Sequence, residues 1–177
     1  VGSNYGFASA PYASRVTITG EPGTIFDGNL QLNNPSNLSI VGIEVYCQNV
    51  AASAIILMKN TCAGLRIENC YLHGIARDPL GDYDVVGSYQ NPGDGIGGDG
   101  TTTLTDILVR GNRIEHVKEG VILRLSGSGP FNVEYNSISY TYSDAFKYSI
   151  IATPALTALK RWHGNRWSMM MGRSTDD

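Results

Sequence analysis

Basic charge is in short supply in this 177-residue chain: 13 Lys and Arg face 16 Asp and Glu, for a formal net charge of −3 at pH 7. No run of like charge concentrates it, so the electropositive footprint that nucleic-acid binding needs is absent. Long apolar runs are missing too, and no stretch approaches the roughly 20 residues that cross a bilayer as a helix. Neither nucleic acid nor membrane is therefore an expected partner. Cysteine is sparse as well. Cys47, Cys62 and Cys70 cannot all pair with one another, and their spacing fits no zinc or CxxC motif, so they read as buried thiols. The opening "VGSNYGFASAPYAS" has neither Met nor a charged-then-apolar signal segment, as expected of a mature product, a processed form or a fragment.

What is present is apolar surface and punctuation. With 42% hydrophobic residues the chain can bury a core in a single domain spanning 1–177. Its 21 glycines, with many Asn, Thr and Ser, point to short strands between tight turns rather than to long helices. Four segments superimpose on one template: "LSIVGIEV" (38–45), "LRIENCYL" (65–72), "ILVRGNRI" (107–114) and "FNVEYNSI" (131–138). With Ile40, Ile67, Val109 and Val133 as equivalents, the spacings are 27, 42 and 24 residues. An inserted loop at 76–93 accounts for the long interval, leaving a period of about 25 that signals a solenoid. Alternation inside each segment gives one inward and one outward face. Short strands stacked rung on rung about 4.8 Å apart bury a continuous apolar column that no single repeat can bury alone. The expected fold is all-β, a parallel β-helix of about five coils carrying one inserted loop. Ile43, Cys70, Asn112 and Asn136 share one template position, so the two Asn are expected to begin a ladder along the axis. Residues 153–165 carry a helix signature in Thr153, Pro154 and Gly164, while Trp162, Asn165 and Trp167 continue the strand template. Both readings stay open there.

The stretch "SRVTITGEPGTIFDGNLQL" (14–32) supplies an earlier coil. Its wording resembles the opening coils of the pectate-lyase-like superfamily of right-handed β-helices. The resemblance covers roughly residues 14–150 and implies the right-handed fold. It implies no single activity, because that scaffold carries lyases, hydrolases, epimerases and inert fibres.

Acidic residues recur in register. Asp94, Glu119 and Asp144 open successive strands, with 119 − 94 = 25 and 144 − 119 = 25. Equal positions in successive coils stack, so the three form a row of carboxylates about 5 Å apart. Neighbouring carboxylates repel, and such a row resists full ionisation, so one member can act as acid while another acts as base. That pairing suits glycoside hydrolysis of a polysaccharide, expected to lie along the coil axis, with Glu119 in the middle as the expected acid. "NPGDG" and "VKEG" also resemble the polygalacturonase-type hydrolases, in which an Asn-Thr-Asp-Gly segment is followed one coil later by paired Asp. Asp94 matches the first acid and Glu119 the second of the pair, with Lys118 at the other position. No Gly-His-Gly or Arg-Ile-Lys segment follows, so the galacturonate-binding basic cluster is not implied. Phage tailspikes share the looser logic of acids on adjacent coils. The competing reading is turn chemistry, in which Asp or Glu accepts a backbone hydrogen bond and Gly takes a positive φ.

Other candidates surround the row. Arg124 and Lys147 fall on the outward side of the same strands by parity, where they orient a sugar or are plain solvated surface. In the inserted loop, Tyr83 and Tyr89 offer rings for stacking on sugars, and Asp78, Asp82 and Asp84 offer oxygen ligands for calcium or form a solvated acidic loop. No cofactor is required, with calcium an admissible addition. Three functions follow: a polysaccharide hydrolase, with a calcium-assisted lyase as variant; a glycan-binding module; and a structural β-helix of a fibre or tailspike. An extracellular or virion-surface location fits all three, and open solenoid ends favour a homo-oligomer or larger assembly.

Overall fold

The computed structural model describes residues 3–8, 12–76, 91–99, 102–125, 130–143, 145–150, 160–168 and 175–176. Every regular element among them is a β-strand, and every strand pairing is parallel. The strands are β1 (Ser3–Ala8), β2 (Val16–Thr19), β3 (Ile25–Asn33), β4 (Leu38–Val41), β5 (Glu44–Tyr46), β6 (Ala54–Lys59), β7 (Thr61–Ala63), β8 (Arg66–Glu68), β9 (Tyr71–His73) and β10 (Asp94–Gly98). They continue as β11 (Thr103–Thr105), β12 (Ile107–Arg110), β13 (Arg113–Val117), β14 (Glu119–Leu125), β15 (Phe131–Glu134), β16 (Ser137–Thr141), β17 (Phe146–Ile150), β18 (Lys160–His163), β19 (Arg166–Ser168) and β20 (Thr175–Asp176). Strands adjacent in sequence rarely pair. Each hydrogen-bonds instead to the strand one repeat away, giving a six-stranded sheet in the order β18-β15-β12-β8-β4-β2 and a strongly curled twelve-stranded one. The curl comes from β3. Its Ile25–Asp27 end pairs with β5, and its Leu30–Asn33 end pairs with β6, so one strand turns the corner between two faces.

The register follows the sequence template. Ile18, Ile40, Ile67, Val109, Val133 and Trp162 are consecutive partners across the six-stranded sheet. The sixth rung comes from β18, which resolves Lys160–His163 as strand rather than helix. Residues 151–159 lie outside the described part. Leu30, Ile56, Ile96 and Val121 are consecutive partners on the next face, and with Ile40, Ile67 and Val109 they belong to one fully buried apolar column. Burial of such area at about 25 cal/mol per Å² is the main stabilising contribution of the stack.

Two polar devices hold the corners. Gly42, Asn69, Gly111, Tyr135 and Gly164 sit at one corner in successive rungs, all with φ between 54° and 67°. Glycine and asparagine prevail there because they tolerate the left-handed region. The next residue in each rung turns inward. Asn136 Oδ1 accepts from the backbone N–H of Asn112 at 3.0 Å and from its Nδ2 at 2.9 Å, and Asn165 Oδ1 receives the same two bonds from Asn136, both at 2.9 Å. Asn112 Oδ1 in turn accepts from the backbone N–H of Cys70. The expected ladder therefore exists and extends one rung further, to Asn165. The three cysteines are free and buried. Burial pushes the Cys62 thiol up to about 12 and raises those of Cys47 and Cys70, which disfavours the nucleophilic thiolate.

Candidate functional site

Asp94 and Glu119 open adjacent strands as direct register partners, so their backbones stand one rung apart, about 4.8 Å. The backbone N–H of Asp94 donates to Ser53 O at 2.8 Å, and that of Glu119 donates to Gly93 O at 3.0 Å, which staples both entrances to the rung before. On the other side Asp94 pairs with Ala54, so the acids stop there. Asp144 lies outside the described residues, and pairing above Glu119 is resolved from Val121–Phe146 onward.

The glycine after each acid does not serve a left-handed turn. Neither Gly95 nor Gly120 has a positive φ. A Cβ on Gly95 would come within 2.4 Å of Ile114 Cγ2, and one on Gly120 within 2.3 Å of Ala145 O and 2.9 Å of Ile138 Cδ1. Core isoleucines of the facing strands occupy the space, so close packing selects glycine. Turn chemistry in the φ sense is thus not the reason for Asp-Gly and Glu-Gly.

The corner also redirects Asp94. Strict alternation would place it on the face of Ile96, which is fully buried. Its carboxylate lies instead over Gly97, where a Cβ would meet Asp94 Oδ2 at 2.2 Å. Asp94 and Glu119 both line a groove of about 490 Å³, with Lys118 beside them. Leu57 and Gly98 contribute to its floor, and Lys59 and Asp99 line its far end. Lys59 Nζ donates to Gln31 Oε1 at 3.0 Å. Asp99 Oδ1 accepts from Thr102 Oγ1 at 2.8 Å, and that buried hydroxyl is also 3.0 Å from Met58 O.

Sequence inspection missed Lys59, Asp99, Gly97 and Asn91. Asp99 carries a visible signal as the acid of the second Asp-Gly pair in "DGIGGDG". Asn91 does not. Its Oδ1 accepts from the backbone N–H of Ile75 at 2.8 Å, closing the neck of the inserted segment just before Asp94. Tyr83, Tyr89, Asp78, Asp82 and Asp84 lie outside the described residues. Arg124 and Lys147 are on β14 and β17, paired with Ser149 and Ile122 respectively. Among the described residues no group of three or more His, Cys, Asp or Glu is arranged to hold a metal ion.

A second polar cluster occupies the outer face of β5, β9, β13 and β16. Glu115, 8% exposed, accepts from Tyr71 Oη at 3.0 Å, Ser139 Oγ at 3.0 Å and Arg113 Nη2 at 2.8 Å. Burial opposes its ionisation, but the three donors outweigh it and hold the carboxyl below the usual range. Burial and the adjacent Glu115 raise the Tyr71 phenol. The His73 ring stacks between Tyr46 and Tyr71, with centroids at 5.0 and 4.3 Å, and its Nε2 lies 3.1 Å from Glu44 Oε1. Both carboxylate oxygens of Glu115 are engaged within the cluster, which suits it to tying rungs together. The groove, with both register-paired acids on its lining, is the better candidate for chemistry. A scan of protein-family models and searches of curated proteins and of solved structures return no match to this chain.

Proposed function

We propose that the chain is a right-handed parallel β-helix that hydrolyses a polysaccharide in the groove beside Asp94 and Glu119. The observation that carries this reading is the direct pairing of two acids on adjacent rungs that line one cavity. Glu119 protonates the glycosidic oxygen as the bond to the anomeric carbon breaks. Asp94 attacks that carbon from the other side, and water then displaces it with Glu119 acting as base, so one water is consumed for each bond cut. The one-rung spacing of the two backbones is the reason for choosing the covalent, retaining route, whose carboxyl groups stand roughly 5 Å apart. Lys118 adds a cation near the pair that offsets their mutual repulsion.

A polysaccharide panel read both by new reducing ends and by absorbance of unsaturated products tests the proposal. Reducing ends without absorbance support hydrolysis, and absorbance makes the chain a lyase. Neither signal leaves the structural or glycan-binding β-helix, a reading supported by the Asn ladder and the regular register. On a substrate that is cut, Glu119→Gln is expected to remove at least about 99% of activity with the fold intact, because the amide keeps the shape and cannot give up an acidic proton. Undiminished cleavage by that variant overturns the acid assignment.

A further inference from the structure

The groove has a direction that the paired acids alone do not reveal. Its lining runs along β10 from Gly93 and Asp94 at one end to Gly98 and Asp99 at the other. Asp94 and Asp99 are five positions apart, a backbone span of about 16 Å, whereas the lining crosses two rung steps from β6 to β14, about 10 Å. The long dimension therefore follows the strands and crosses the stack, unlike the axial path expected from the acid row. Between the ends the lining is Gly98, which carries no side chain, and Leu57, which offers an apolar surface.

The far end is a built pair of opposite charge. Lys59 is held by Gln31, and Asp99 is held by the buried Thr102. A fixed ammonium donates to ring or hydroxyl oxygens, while a fixed carboxylate accepts from sugar hydroxyls. The described lining as a whole carries three carboxylates (Asp94, Asp99, Glu119) and two ammoniums (Lys59, Lys118), a formal −1. With Glu119 protonated as the acid the total is zero. In neither state do the described lining residues have the positive excess that a chain with one carboxylate per sugar would need for attraction.

Resting on the hydrolase reading above, we infer that the groove takes an uncharged glycan laid across the rungs, its reacting bond at Asp94 and Glu119 and a distal sugar hydroxyl-bonded to Lys59 and Asp99. Binding and cleavage are read separately. Backbone amide NMR of the full chain is followed on adding neutral hexasaccharides of glucose, galactose, mannose and xylose, and in parallel hexagalacturonate. At least one neutral ligand is expected to shift Gly98 and Asp99 together with Gly95 and Gly120, and to bind about tenfold more weakly to Lys59→Met and to Asp99→Asn, one lost charge-assisted hydrogen bond each. Disaccharides, too short to reach both ends, are expected to lose that sensitivity. Preference for hexagalacturonate, shifts confined to the Asp94–Glu119 end, or no shift with any ligand overturns the inference. Binding as expected without cleavage sinks the hydrolase reading alone and leaves the crossing site standing.

Discussion

At the scale of single residues, the placement of one carboxylate depends on a missing side chain. Asp94 sits at a corner where the inward-outward alternation breaks, and its carboxylate rests on the bare backbone of Gly97. Gly97 does not have a positive φ, so alanine is conformationally acceptable there. The added Cβ nevertheless cannot coexist with Asp94 Oδ2 at 2.2 Å. Gly97→Ala is therefore expected to move the carboxylate by about 1 Å and lower any cleavage rate by about tenfold to a hundredfold. The thermal midpoint should change by only a few degrees, because the atom that must give way is the far end of the Asp94 side chain rather than backbone. Kinetics beside a thermal melt checks this, and unchanged turnover would show that Asp94 is not a reacting group. Gly95 tells the complementary story, because there the neighbour that forbids a side chain is the core residue Ile114.

At the scale of elements, the corners decide how strands follow one another. Five rungs place a left-handed residue at the same corner, and three successive rungs follow it with a buried or half-buried Asn. Asn136 is the central member. Replacing it with Ala leaves the backbone N–H and the side-chain amide of Asn112 without the acceptor that now takes both, each costing about 1–3 kcal/mol. Asn136→Ala is expected to lower unfolding free energy by about 2–4 kcal/mol in a urea titration. A cost below about 0.5 kcal/mol would mean that the ladder is incidental to stability. The ladder positions were legible beforehand because Asn112 and Asn136 occupy one template position. Its extension to Asn165 was obscured by the helix-like caps of 153–165.

At the scale of the whole molecule, each rung touches only its neighbours, so stability accumulates as rung and interface contributions. Positions in the middle of the stack have partners on both sides, and positions in the first rung have them on one. Ile67 is fully buried between Ile40 and Val109, whereas Val16 in β2, at the end of the six-stranded sheet, is 38% exposed. Ile67→Ala is expected to cost about 2–5 kcal/mol, and Val16→Ala less than about 1 kcal/mol. Urea unfolding of the two variants measures the gradient, and equal costs would contradict a stacked core. The groove depends on this scale too, because its walls come from β6, β10 and β14, which meet only when rungs stack in register.

The amino-acid sequence by itself determined the strands, their parallel register and the stacking of Asp94 on Glu119. Those follow from two periodicities, alternation within a strand and about 25 residues between rungs, and a periodicity is readable along one dimension. Only the tertiary structure decided that Asp94 leans over Gly97, that Lys59 and Asp99 close the far end of the same groove, and that Tyr71, Ser139 and Arg113 all donate to Glu115. Each of these joins side chains at corners or across rungs, where alternation breaks or partners come from 24 to 44 residues away. Their meeting is set by packing against the shared core, a three-dimensional constraint that no repeat length encodes.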